Sequence, residues 1–249
     1  MNKSMVVALT DFKIAMNLRF VKWGIVLGAI FGPVISVFMI LSFVTLVPAS
    51  EFPMLWAIMG PYIPAMIAIF AIIPTSMISA NALVGEREMN TLEPLLCTPL
   101  TDRELLWGKT LTSAIPGLLI LISSTVITTV ASLVIFVVMD FPLMLVPDIA
   151  GYFMLFTSVP LMIFAMVAVM IIVSGRVTRV YEAYQTTSAV IMVFILPMIL
   201  PIFGMESGNV EEWVWISNFI ILIVAALIFA ISWAIAFKLF NRDKLVSMV

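Results

Sequence analysis

The sequence predicts an all-α polytopic membrane protein with six transmembrane helices, and three observations support this. The 249-residue chain is 63% hydrophobic and 10% charged, with a mean hydropathy of +1.24, whereas a soluble domain is about one-quarter charged. Long runs without a charged residue recur along the chain. The basic residues all fall on one side of the arrangement that those runs imply.

The uncharged runs are each long enough to cross the hydrocarbon layer as a helix. A helix needs about 20 apolar residues to do so, and lipid forces every backbone amide to be paired within the segment. We therefore predict a single transmembrane domain over residues 1–249. Its predicted spans lie at about 23–47, 54–84, 106–139, 149–175, 184–204 and 214–237.

The distribution of lysine and arginine predicts the orientation, because these residues concentrate in cytoplasmic segments. With both termini in the cytoplasm, the inside segments contain all 12 basic residues. These are Lys3, Lys13, Arg19, Lys22, Arg87, Arg103, Lys109, Arg176, Arg179, Lys238, Arg242 and Lys244. The outside loops contain only acidic charges: Glu51, Asp140, Asp148, Glu206, Glu211 and Glu212.

The segment before the first span, residues 1–22, has the pattern of an amphipathic helix. Apolar residues between Val6 and Phe20 alternate with polar ones that include Asp11, Lys13 and Arg19. Such a helix lies in the plane of the headgroup layer. The pattern therefore predicts an interfacial helix on the inner face, with a simple basic anchor as the alternative.

The first span contains a doubled GxxxG pattern formed by Gly24, Gly28 and Gly32. Small residues at this spacing let two helix backbones approach closely. The pattern predicts helix packing at these three glycines. Packing against a neighbour in the same chain is favoured, and a contact with a second copy is the alternative.

The second uncharged run, 52–85, is too long for one bilayer crossing. As one helix it would reach roughly 50 Å at about 1.5 Å per residue, against about 30 Å of hydrocarbon. We expect this helix to protrude into the cytoplasm and to carry residues 81–88 towards a soluble partner. Pro61, Pro64 and Pro74 are expected to bend it, since proline removes a backbone hydrogen bond.

The charged stretch that follows predicts a short helix over 91–97, a turn at Pro99 and a new helix that continues into the third span. Thr101 and Glu104 have the spacing of a capping box. Gly108, Lys109 and Thr110 match the last three residues of a phosphate-binding loop. Such a loop would also need a glycine at position 103 and a preceding strand. Position 103 is arginine, so no nucleotide site is predicted here.

Composition also excludes several kinds of site. The chain has no histidine and a single cysteine, Cys97, which removes most zinc sites and histidine-dependent nucleophiles. No metal site and no catalytic residue are predicted. The uncharged runs argue against a proton pathway or a voltage sensor and favour a path for an apolar or amphipathic substance.

The stretch from Gly85 to Lys109 resembles the signature of ABC-2 type transporter permeases, the six-helix membrane subunits of ABC exporters. It reads G-E-R-E-x-x-T-L-E-P-L-L-x-x-P-L-x-x-x-E-L-x-x-G-K, close to the family pattern E-x-x-x-G-T-L-E-x-L-L-x-x-P-x-x-x-x-E-x-x-x-G-K. Asn90 stands where the family usually has glycine. The span number and the cytoplasmic termini fit the same family, so the resemblance extends over essentially the whole chain.

The resemblance implies a plasma-membrane permease that works as a dimer with a second permease copy and two separate ATP-binding subunits. ATP and magnesium would bind those subunits, and no cofactor would bind this chain. Membrane lipids are expected partners, and nucleic acid is not. The second and fifth spans would line the path. A cytoplasmic coupling helix between the second and third spans would contact the ATPase through Glu86, Arg87, Glu88, Thr91, Leu92, Glu93, Pro94, Leu95 and Leu96.

Two other functions are alternatives to this one. An ATP-independent channel or transporter would share the hydropathy pattern. An intramembrane enzyme is disfavoured because the sequence lacks histidine, a G-x-S-x-G elbow and a pair of acidic residues within the spans.

Overall fold

The computed structural model describes residues 3–48, 52–85, 101–174, 176–177 and 179–239, which form an all-α structure. Its helices are α1 (Lys3–Asn17), α2 (Arg19–Leu46), α3 (Phe52–Met59), α4 (Tyr62–Ala80), α5 (Asp102–Val138), α6 (Ile149–Phe153), α7 (Val159–Ser174), α8 (Val180–Ile191), α9 (Leu196–Ser207) and α10 (Val210–Leu239). A π-helical turn, Asn81–Gly85, extends α4, and another, Met154–Ser158, joins α6 to α7. A 3-10 turn, Met192–Ile195, joins α8 to α9.

The described residues contain 6 helical stretches long and apolar enough to cross a membrane. They are Val21–Leu46, Leu55–Ala80, Glu104–Val138, Ile149–Ser174, Val180–Gly204 and Val210–Lys238, and we number them as the first to sixth spans. The prediction of six transmembrane helices is confirmed.

Contacts at the helix ends show that the fourth and sixth spans run in the same direction and that the third runs opposite to them. The start of the third span and the end of the sixth meet where Trp107 stacks on Trp233, with ring centroids 5.8 Å apart. At the other end of the bundle, the Asn218 side chain donates to the Ala150 carbonyl at 2.8 Å, which joins the starts of the sixth and fourth spans. We call the Trp107 side the N-terminal side, because α1 packs there.

The second and fourth spans form the centre of the bundle. Within their most apolar windows, 72% of the second span and 56% of the fourth are buried, against 28% of the first and sixth and 29% of the fifth. The core joins residues such as Ile67 and Ile72 of α4 to Met162 and Met166 of α7. Large apolar side chains on the outer spans are left exposed, as expected where lipid is the solvent.

The three glycines of the first span face other helices of the same chain. An added Cβ atom at Gly24 would lie 2.6 Å from the Met77 side chain, and one at Gly28 would lie 2.8 Å from the Phe70 carbonyl oxygen. At Gly32 the nearest atom is the Ser124 hydroxyl, at 3.3 Å. Gly24 faces Met77 and Gly28 faces Phe70, so the residue numbers rise along α2 as they fall along α4, and the two helices are antiparallel.

The single long helix expected over 52–85 is divided. Helix α3 ends at Met59, a turn at Gly60 and Pro61 follows, and α4 begins at Tyr62. Pro61 has no amide hydrogen, so the last α-helical bond before it runs from the Gly60 amide to the Trp56 carbonyl at 2.7 Å. The run therefore contains a short helix, α3, and a longer one, α4.

The predicted 1–22 helix is also divided, since α1 ends at Asn17 and Leu18 is extended with φ −75° and ψ 115°. Helix α1 packs along the start of α5, and its Ala8 and Ala15 side chains are buried. The end of the fifth span turns into α10 through a short hairpin. Gly208 has φ 74°, a left-handed conformation that glycine adopts without strain, and α10 begins at Val210.

Alanine substitution tests whether Gly28 packs against rigid backbone and Gly24 against a flexible side chain. Gly28→Ala places a methyl group 2.6 Å from Pro74 Cγ and 2.8 Å from the Phe70 backbone oxygen, so we expect the free energy of unfolding to fall by about 1–3 kcal/mol. Gly24→Ala meets only the flexible end of Met77, and alanine gains about 1 kcal/mol of helix propensity over glycine. Its change should therefore be near zero.

Denaturant unfolding of the detergent-solubilised protein measures both changes. Equal losses for Gly24→Ala and Gly28→Ala would contradict the close backbone approach at Gly28.

Candidate functional site

The residues that the sequence singles out for contact with a partner lie outside the described residues. They are Glu86, Arg87, Glu88, Thr91, Leu92, Glu93, Pro94, Leu95 and Leu96. The structure does describe both flanks of this segment, which are the π turn ending at Gly85 and the start of α5 after Thr101. The site is therefore built from these flanks.

The flank after the segment begins with the predicted capping box, which is confirmed. The Thr101 hydroxyl oxygen accepts from the Glu104 amide at 3.3 Å, and Glu104 Oε2 accepts from the Thr101 amide at 2.9 Å. Two amides at the start of α5 that have no partner within the helix are thereby satisfied. The capping box fixes the residue at which the third span's helix begins.

The flank before the segment is held by side chains from two other spans. The Asn81 side-chain amide donates to the Met77 carbonyl at 2.7 Å and to the Tyr184 hydroxyl at 2.8 Å. The Lys109 ammonium donates to the Ala82 carbonyl at 2.6 Å. These bonds occupy polar groups of the Asn81–Gly85 π turn, which is a local departure from α-helical hydrogen bonding that often accompanies functional sites.

Lys109 is a charged residue in the interior. Only 3% of its side chain is exposed, and its Nζ lies 3.7 Å from Asp11 Oδ2, whose side chain is 11% exposed. This separation makes an ion pair but is too long for a hydrogen bond. A buried ammonium is costly unless it is paired and hydrogen-bonded. Asp11 and the Ala82 carbonyl supply that compensation from two different helices.

Burial raises the pKa of the Asp11 carboxyl above 3.8, and the nearby Lys109 ammonium opposes this rise without cancelling it. The carboxylate is therefore incompletely compensated by its partner. The same helix is also tied to α5 through a neutral contact, since the Thr112 hydroxyl donates to the Ala8 carbonyl at 3.1 Å. Helix α1 is thus attached to the third span at two points.

Together these contacts form one cluster that we call the polar junction, made of Asp11, Asn81, Ala82, Lys109 and Tyr184. It joins α1, the end of the second span, the start of the third span and the start of the fifth. Both flanks of segment 86–100 are therefore linked to each other and to two further helices.

The polar junction was not predicted from the sequence. Lys109 was assigned to the inside segments, and the uncharged runs suggested that no charge lies inside the bundle. The sequence did contain one indication that Lys109 is buried. Lys109 lies about two helical turns after the start of α5 and within the predicted span 106–139. The partner Asp11 could not be identified, because the pair joins residues far apart in sequence.

On the opposite side of the membrane, a side-chain cap fixes the start of the fourth span. Asp148 Oδ1 accepts from the Gly151 amide at 2.9 Å and caps α6. Burial raises the pKa of the Asp148 carboxyl, and the hydrogen bond from Gly151 opposes the rise. Over the described residues there is no cluster of three or more side chains that could hold a metal ion.

The pH dependence of stability tests the burial of Asp11. Because its pKa is raised in the folded protein, the folded state binds the proton more tightly than the unfolded chain. This contribution to stability is full below pH 3.8 and is lost as the pH rises through the folded pKa. We therefore expect the melting temperature of the native protein, measured relative to that of Asp11→Asn, to fall as the pH rises through that window.

Thermal unfolding in detergent between pH 3 and pH 8 is the measurement, at about half-unit steps. Asp148 stays in both proteins, so its similar contribution cancels in the comparison. A difference that is constant with pH would show that the folded Asp11 carboxyl titrates normally.

Comparison with known protein families gives an independent result. Residues 5–212 match the family described as ABC-2 family transporter protein. A search of curated proteins found no match. The matched region begins within α1, includes the polar junction and segment 86–100, and extends to the start of α10. This chain belongs to the ABC-2 transporter family and is a multi-pass transmembrane permease.

Proposed function

We propose that this permease is the membrane subunit of an ABC exporter and that separate ATP-binding subunits drive it through segment 86–100. Two ATP-binding subunits would act on two permease copies. The family supports the transport function. The 249 residues contain no phosphate-binding loop, which supports placing ATP and magnesium on the partner.

The polar junction is the observation that carries this proposal. Lys109 binds the Ala82 carbonyl at 2.6 Å, and Asn81 binds Tyr184 at 2.8 Å. These bonds connect the two flanks of segment 86–100 across the interior of the bundle. Since packed helices move as rigid elements rather than deforming continuously, a push on the segment would tilt the second and third spans together.

The composition of the segment supports contact with a protein. Leu92, Leu95 and Leu96 are apolar residues in a segment that also carries Glu86, Arg87, Glu88 and Glu93. Burial of these side chains in a groove of the ATPase would stabilise the complex by about 1.5–3 kcal/mol per fully buried leucine. Glu86, Arg87, Glu88 and Glu93 would then form polar contacts around the apolar centre, as in ordinary interfaces.

The orientation proposed here places both termini in the cytoplasm and the polar junction at the cytoplasmic face. The 12 basic residues of the chain all lie beyond the spans on that side or in the part of a span nearest to it, as Lys109 does in the third span. The cargo proposed is amphipathic or apolar. The one charge buried in the third span, Lys109, is engaged with Asp11 and the Ala82 carbonyl, so it is not presented to a substrate path.

Charge reversal and charge insertion in segment 86–100 test the coupling role. We expect Glu93→Arg and Leu95→Arg to weaken co-purification with the ATP-binding subunit at least tenfold, which corresponds to about 1.4 kcal/mol. The permease-dependent rise in ATP turnover should be lost in proportion, and membrane insertion should be unchanged. The measurements are pull-down and ATPase rate in lipid nanodiscs.

The matched controls are Glu212→Arg and Leu143→Arg. Both residues lie on the opposite side of the bundle, and both are exposed. They should leave binding and turnover unchanged. Normal transport by Glu93→Arg and Leu95→Arg would refute the coupling assignment, and a native chain that neither binds an ATPase nor raises its turnover would refute the exporter proposal.

Cysteine labelling tests the orientation. In a Cys97→Ser background, single cysteines replacing Glu51, Met144 or Asn209 should react with a membrane-impermeant maleimide added outside intact cells. The unmodified chain supplies the control, because its Cys97 should react only after the cells are opened. Labelling of the three engineered sites solely from inside would reverse the proposed topology.

A further inference from the structure

The outward side of α1 carries apolar side chains that the other described residues leave uncovered. Met5, Leu9 and Ile14 are exposed by 57%, 56% and 59%, whereas Ala8 and Ala15 on the opposite face are buried. Trp23, one turn into α2, is 62% exposed. Leu27, one turn further along the same face of α2, is exposed as well.

The charge of this region is divided between its two faces. Asp11 is the one acidic residue among positions 1–24, and it is turned inward, 3.7 Å from Lys109. Lys13, Arg19 and Lys22 are all exposed. The inward position of Asp11 therefore leaves only positive charge on the outward side, within residues 13–22, which run from the last part of α1 to the start of the first span.

We propose that this surface, which we call the α1 face (Met5, Leu9, Lys13, Ile14, Arg19, Lys22 and Trp23), is a binding surface for anionic phospholipids of the leaflet on the N-terminal side. Lysine and arginine attract phosphate headgroups at a negatively charged membrane surface. Exposed aliphatic side chains enter the acyl region, and tryptophan occupies the headgroup level. The α1 face carries cations, exposed aliphatic side chains and a tryptophan.

A bilayer fits this surface better than a protein partner does. Trp23 and Leu27 lie one turn apart on one face of α2 and both are exposed, so a bilayer that contacts Leu27 also reaches Trp23 and, through Leu18, the end of α1. A soluble acidic protein would have to displace that lipid. The proposal does not depend on the ATPase or on the cargo, so it can fail while the exporter assignment stands.

The test measures lipid selection beside α1. An environment-sensitive fluorophore is attached at Ile14→Cys in the Cys97→Ser protein, and quenching is compared for brominated phosphatidylglycerol and brominated phosphatidylcholine in vesicles. About 1 kcal/mol per cation near the surface corresponds to about fivefold selection. We expect phosphatidylglycerol to be preferred at least fivefold. The preference should fall to near one after combined substitution of Lys13→Gln, Arg19→Gln and Lys22→Gln.

The matched control is Lys238→Gln, an exposed cation near the end of the sixth span, which should keep the full preference. Salt should weaken the preference of the native face, since exposed charges are screened. Equal quenching by the two lipids in the native protein would overturn the proposal. So would a preference that survives the triple substitution, or loss of all lipid quenching when an ATP-binding subunit is added.

Discussion

The buried ammonium of Lys109 is the constraint on which the N-terminal side of this permease depends. A cation removed from water needs an anion and hydrogen-bond acceptors close by. Here the anion, Asp11, comes from α1, and an acceptor, the Ala82 carbonyl, comes from the π turn after α4. Moving α1 or the π turn away from α5 would remove a partner of the buried ammonium. These contacts therefore hold the three elements in their arrangement.

Close backbone packing has the same effect in the middle of the bundle, without charge. Gly28 lies against Pro74 and the Phe70 carbonyl, and an added methyl group at Gly117 would meet the Thr75 hydroxyl oxygen of α4. The second span is thus enclosed by its neighbours, while the fifth keeps more exposed surface. If these two spans line a path, as the family resemblance implies, the second span must carry its neighbours with it when it moves.

The two faces of α1 illustrate how one buried contact alters a surface elsewhere. Because Asp11 is taken inward to meet Lys109, the outward face loses its single negative charge. The electrostatic character of that face follows from the interior ion pair rather than from the local sequence. An amphipathic pattern read residue by residue would place Asp11 among the polar groups in the headgroup layer.

The sequence by itself determined the six spans, the charge asymmetry, the capping box at Thr101 and the family signature between Gly85 and Lys109. Each of these depends on composition or on residues within a few positions of one another. The division of the second run at Gly60 was missed, because prolines in membrane helices can bend a helix as readily as they end one. The tertiary structure alone decided which faces are buried and that Lys109 meets Asp11 and Ala82. Those contacts join helices distant in sequence, and only packing brings such residues together.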